Sequence, residues 1–119
     1  MAVIKKRSNV IPVDFGEFQI EFRVNDKNIK NMEEVGKKLK SEGEKLAKTE
    51  DAQAFDVLHD LVKGAWIELF DAETFEKVYE FSDETTVDTM AYLLETITLI
   101  TKEWEKRNNA DALKKYLGD

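Results

Sequence analysis

Residues 17–24 read Glu17-Phe18-Gln19-Ile20-Glu21-Phe22-Arg23-Val24, with polar and apolar side chains alternating without a miss. A period of two puts every second side chain on one face, which is the pattern of a half-buried strand. Upstream, Ile11, Val13 and Phe15 share one parity and Pro12 sits on the other, with Gly16 separating the two runs. The pattern predicts an antiparallel β hairpin over about 9–24, turning near Phe15-Gly16. Pro12 has no N–H to give to a ladder, so its strand is expected at an edge. A lone hairpin is marginal in water, so its Phe18, Ile20, Phe22, Val24 face calls for helices or a second hairpin against it.

After Val24 the period changes to three and four. Asn25 or Asp26 can cap a helix over about 26–48 with Ile29, Met32, Val35, Leu39 and Leu46 on one stripe and Gly43 filling the remaining place. Gly36 and Gly43 each cost this helix about 1 kcal/mol of propensity relative to alanine. Thr49-Glu50-Asp51 reads as a turn and a new cap. Ala52, Phe55, Leu58, Val62, Trp66 and Leu69 then mark a central helix over about 52–70. A short helix at about 72–81 carries Phe75, Val78 and Tyr79. Ser82 is expected to cap the longest helix, about 83–107, with a stripe of Val87, Met90, Leu94, Ile97, Ile100 or Thr101, and Trp104, broadened by Leu93. Asn108-Asn109 ends it, and a last short helix is expected at 110–117. The fold class is therefore α+β, mainly α-helical: an N-terminal β hairpin packed on a bundle of about four to five helices, as a single domain over 1–119.

Composition narrows the function classes. At 119 residues and 42% hydrophobic content the chain is long enough for one core and too short for two comfortable ones. It has no cysteine, which removes disulfides, thiolate metal sites and cysteine nucleophiles, and one histidine, His59. Eighteen Lys+Arg against 25 Asp+Glu give a formal charge of -7, a repulsive field for nucleic-acid phosphates. No apolar run has the length of a signal peptide core or a membrane span, and the reading is of a soluble intracellular protein without membrane partners.

Candidate sites are few. His59 with Asp56, Asp60 and Lys63 is a poor first coordination sphere, since one imidazole and scattered carboxylates do not make a zinc site. Carboxylate pairs such as Glu33/Glu34, Glu50/Asp51 and Asp83/Glu84 are what 25 acids place on solvated faces. Neither a serine elbow nor a glycine-rich phosphate loop occurs, so no catalytic residue, cofactor or small-molecule substrate is expected. Lys5-Lys6-Arg7 is a short basic cluster without interleaved aromatics, as in a frayed terminus. What remains is aromatic and amphipathic surface. Trp66, Phe70, Tyr79, Met90 and Trp104 are the candidate protein-interface residues, chosen on aromatic and methionine chemistry alone.

The order of elements has a counterpart. Ile11-Pro12-Val13-Asp14-Phe15-Gly16 with the strand that follows, and Leu69-Phe70 to Phe75-Glu76-Lys77-Val78-Tyr79 leading into a Leu- and Ile-rich helix, resemble the small tail assembly chaperones of long-tailed (siphovirus-type) bacteriophages and prophages of Gram-positive bacteria. The resemblance implies a non-enzymatic helper of tail morphogenesis. It would coat the helical tape measure protein, keep it soluble, recruit tail tube subunits and leave before the virion is complete, all in the cytoplasm of the bacterial host. Many such proteins are also made in a longer form by ribosomal slippage near the 3′ end of the gene, and Lys114-Lys115 supplies codons of the needed kind.

The mechanism expected from the residues is helix-in-groove binding, with the apolar faces of the 82–107 and 52–70 helices sequestering apolar stripes of the client. A half-covered hairpin edge and an apolar helix face also invite self-pairing into a homo-oligomer. Two other classes fit the same composition: a small acidic regulatory or antitoxin-like binding module acting one to one, and a head–tail structural component retained in the particle.

Overall fold

The alternating stretch forms the strand it predicts. In the computed structural model, which describes residues 1–108, β1 (Val10–Asp14) and β2 (Gln19–Arg23) pair antiparallel as a two-stranded sheet, from Val10 opposite Arg23 to Asp14 opposite Gln19. Ile11, Val13, Ile20 and Phe22 are buried while the intervening side chains are largely exposed. The turn is built by three local devices. Gly16 takes φ 87°, a left-handed value that suits glycine, the Asp14 carboxylate accepts the Gly16 N–H at 2.7 Å, and Phe15 N–H donates to Phe18 O at 2.9 Å.

Three of the helices, those that follow Asn25, Asp51 and Asp71, begin on a side-chain cap. Asn25 accepts from Asn28 N–H at 2.7 Å to start α1 (Asp26–Lys38), and Asp51 accepts from Gln53 N–H at 3.0 Å to start α3 (Ala52–Leu69). Asp71 accepts from Thr74 N–H at 2.7 Å to start α4 (Ala72–Phe81). The helix expected over 26–48 is not continuous. After α1 the chain widens into a π-helical turn at Leu39–Gly43 before α2 (Glu44–Ala47). Leu39 and Gly43 are both buried in that turn. A Cβ on Gly43 would lie 2.7 Å from Met90 Sδ, so glycine is what lets the turn approach the last described helix, α5 (Thr86–Arg107).

α5 starts three residues later than expected, for a reason visible in the backbone. Asp83 N–H donates to Glu80 O and Glu84 N–H to Tyr79 O, which is a Schellman closure of α4, and both Asp83 and Glu84 take φ 58°. Ser82 therefore ends α4 instead of capping α5. Its hydroxyl bonds to Tyr79 O at 2.6 Å and to the Thr89 hydroxyl at 2.7 Å.

The core lies between the inner face of the hairpin, α1, α3, α4 and one side of α5. Trp66, Phe22, Phe75, Leu58, Val62, Val78, Leu93 and Ile100 form its centre, each at most 2% exposed. Of the expected stripes, that of α3 is shortened at its start and that of α5 is rotated. Phe55 is 54% exposed, so the buried stripe of α3 starts at Leu58. On α5 the buried line is Thr86, Thr89, Met90, Leu93, Thr96 and Ile100, while Val87 is exposed and Leu94, Ile97 and Trp104 sit at its flanks. Threonine can take these positions because its hydroxyl is satisfied locally. Thr89 donates to Thr85 O at 2.8 Å, and Thr86 Oγ1 meets His59 Nδ1 at 3.0 Å. The final helix expected at 110–117, with Lys114-Lys115, lies outside the described residues.

Candidate protein-binding surfaces

The five residues singled out by their chemistry do not form one patch. Trp66 is fully buried at the α3–α5 contact, with its indole N–H donating to Thr89 O at 3.0 Å, and Met90 is buried against Gly43. Both are core residues, which corrects their placement at an interface: their apolar bulk fills the space between helices and leaves nothing for a partner to touch. Phe70, Tyr79 and Trp104 are half-buried and belong to separate neighbourhoods. Phe70 closes α3 with its ring 5.9 Å from Phe22 and 5.5 Å from Trp66. Tyr79 stacks on Phe75 at 5.4 Å and meets the His59 ring edge-on at 5.2 Å. Trp104 lines a recess with Asn9, Val24 and Asn25 near the start of α1.

His59 is thus held by aromatic edges and a threonine hydroxyl on the α3 surface facing α4 and α5. Among the described residues, no group of three or more His, Asp or Glu side chains is arranged to hold a metal ion.

Three surface features were not singled out from the sequence. The first is a seam on the outward face of α5: Val87, Ala91, Leu94 and Thr98 follow one another at spacings of four, three and four. All are exposed except half-buried Leu94, and Leu99, 55% exposed, flanks them. Their angular spread on an α-helix is narrow, so they form a continuous uncharged strip of the kind one helix offers another. The 4-3-4 spacing is visible in the sequence, but α5 has two such stripes, and periodicity alone does not say which of them faces the core.

The second feature is a cluster of four rings at the hairpin turn. Phe15 stacks on Phe18 at 4.9 Å, and both meet Phe81 edge-on at 5.4 and 5.7 Å, with Tyr92 5.3 Å from Phe81. This cluster pins the hairpin to the α4–α5 corner.

The third is a difference between the two sheet edges. Phe15–Phe18 and Asn9–Val24 are hydrogen-bonded pairs, so by the two-residue alternation of an antiparallel ladder Val13–Ile20 and Ile11–Phe22 are too. The even-numbered residues of β1 and the odd-numbered residues of β2 therefore point their backbone polar groups outward. On β1 that edge is closed. Pro12 has no N–H, and the Arg107 guanidinium donates to Ser8 O at 3.4 Å and Val10 O at 3.3 Å. On β2, Arg23 O accepts from the Asn28 amide at 2.8 Å, while Gln19 and Glu21 face an open cleft bounded by Leu69, Phe70 and the first turn of α4.

Charge follows the same geometry. At the α4 end of that cleft, hydrogen bonds from the Thr74 side chain and backbone, with Lys77 nearby, hold the Asp71 carboxyl below its ordinary pKa against a small opposing effect of burial. Lys77 also pairs with Glu73 at 3.5 Å. Among the described residues no helix is long and apolar enough to cross a membrane. No protein-family model, curated protein or solved structure matches this chain.

Proposed function

We propose that this protein is a non-enzymatic tail assembly chaperone of a long-tailed phage or prophage. It holds helical segments of the tape measure protein against the outward seam of α5 and recruits tail tube subunits as the tube grows. The observation that carries the reading is the Val87, Ala91, Leu94, Thr98 strip with Leu99 beside it, a helical face that the described residues leave largely exposed, at the spacing a second helix requires. The resemblance of the hairpin-plus-helices layout to that chaperone family supplies the client. The protein works in the cytoplasm of the host bacterium and is absent from the finished virion.

The energetics suit transient coating. Fully burying one Val or Leu side chain is worth about 1.5–3 kcal/mol, and a strip with two leucines and one valine leaves little affinity per copy once ordering costs are met. Many copies on one long client raise the occupancy through local concentration, and each copy can still leave. The net charge of -7 limits non-specific association between free copies.

The test is co-expression with the long helical tape measure protein that this reading requires the same genome to encode. The client stays in the soluble fraction with the wild-type chain and precipitates with Leu94→Glu, whose circular dichroism matches wild type. A client equally soluble without this protein defeats the proposal, as does recovery of the protein in mature particles, the outcome for a head–tail component. A one-to-one complex with a toxin-sized neighbour would identify a regulatory binder instead.

A further inference from the structure

The described N-terminal segment and the cleft beside β2 are complementary. Gln19 and Glu21 direct backbone N–H and C=O groups into the cleft, which has a volume of about 560 Å³ and is lined by Glu21, Glu68, Asp71 and Glu73 against Arg23 and Lys77. Four acids face two bases, and Lys77 is already paired with Glu73. Exposed strand edges are normally covered or blunted, as β1 is here by Pro12 and Arg107, whereas on β2 the described residues cap only Arg23 O, through the Asn28 amide, and leave Gln19 and Glu21 facing the cleft. Residues 1–9 carry no helix or strand of their own, and Val3 and Ile4 are 76% and 97% exposed beside Lys5 and Lys6. Two β-branched residues followed by two lysines form a short segment with the propensity and charge that this edge would accept.

We infer that the N-terminal arm of a second copy of this chain, around Ala2–Lys6, adds as a third strand to the open edge of β2. Strand alternation places Ile4 on the inner side with Ile20, Phe22 and Phe70, and Lys5 on the outer side opposite Glu21. Lys6 then falls on the side of Glu68 and Asp71. The six residues ahead of Arg7 reach at most roughly 20–22 Å when extended, and reciprocal exchange of two such arms around a two-fold axis closes the pair as a dimer. The inference is independent of the tape measure client, since it uses a different face from the α5 seam.

Sedimentation of the full chain tests it with two variants. Ile4→Asp alters only the exposed arm, and Glu21→Pro removes an N–H that the hairpin does not use. The wild type dimerises in the range of about 100 µM, each variant alone weakens the dimer at least about tenfold, and high salt weakens it as well. Mixing the two variants gives a heterodimer stronger than either variant's homodimer and weaker than the wild type, because one of its two arms, that of Glu21→Pro, meets the intact edge of Ile4→Asp. A wild type that stays monomeric overturns the inference. So does a dimer that Glu21→Pro abolishes and Ile4→Asp leaves intact, which would mean that two β2 edges pair directly. Should Glu21→Pro fail to fold, an undiminished Ile4→Asp dimer is sufficient to reject the arm.

Discussion

Asp71 serves α4 in two ways, and substitutions separate them. Its carboxylate caps the helix through Thr74 N–H, and the same hydrogen bonds hold its pKa below the ordinary value. Asp71→Ala removes the cap and should cost about 1 kcal/mol in urea denaturation at neutral pH, whereas Asp71→Asn, a comparable cap, should cost a few tenths. A carboxyl whose folded pKa is depressed stabilises the fold above its unfolded pKa, and that contribution is lost as pH falls through the folded value. The Asn variant should accordingly lose stability less steeply than wild type below about pH 4, by a small margin because the group is largely exposed to solvent. Glu84 offers a test of opposite sign. It holds φ 58°, a conformation that glycine adopts freely and that Asp or Asn tolerates better than a longer side chain. Glu84→Gly should therefore raise the urea midpoint by the equivalent of about 0.5–1 kcal/mol, with a smaller gain for Asp83→Gly.

At the scale of elements, the hairpin was legible because one period, one proline and one glycine agree on it. The caps near Asn25-Asp26 and at Asp51 were legible for the same reason, short polar side chains just before an apolar period, while Asp71 before α4 went unread as a cap. The rotation of α5 was not. Its buried line uses Thr86, Thr89 and Thr96, which a reading by hydrophobicity assigns to the outside, and the hydroxyls of Thr86 and Thr89 become acceptable through partners contributed by His59, Ser82 and the preceding turn. Turning α5 inward on threonines turns Val87 and Leu94 outward, so the candidate site was missed for the reason that the stripe was misplaced. Trp66 and Met90 were misplaced by treating aromatic and methionine chemistry as a sign of an interface when the same residues are favoured in cores. The π-helical turn could not be read either, because Gly43 signals its close approach to Met90 only once α5 is in position. Gly43→Val should destabilise by about 1–3 kcal/mol, measured by thermal unfolding, since its added methyls must displace Met90 from a packed site.

Across the whole molecule the surface divides by physical character. The four residues of the α5 strip are uncharged and Glu95 is the one charge between them and Leu99, so client binding there should change less with salt than pairing of the basic arm with the acidic β2 cleft, which should weaken steeply. A light-scattering titration of both associations against salt would separate the two surfaces, and equal salt responses would contradict the division. The hairpin lies between these surfaces and is held by its ring cluster at one end and by Arg107 at the other. The central claim concerns the seam, and site-specific photo-crosslinking tests it most directly. With the long helical client co-expressed, a photoreactive side chain at position 94 should yield a covalent adduct with a helical segment of that client, and the same group at exposed Lys30 on α1 should yield none. Adducts of equal yield from both positions, or a client that co-purifies without any adduct from position 94, would contradict it.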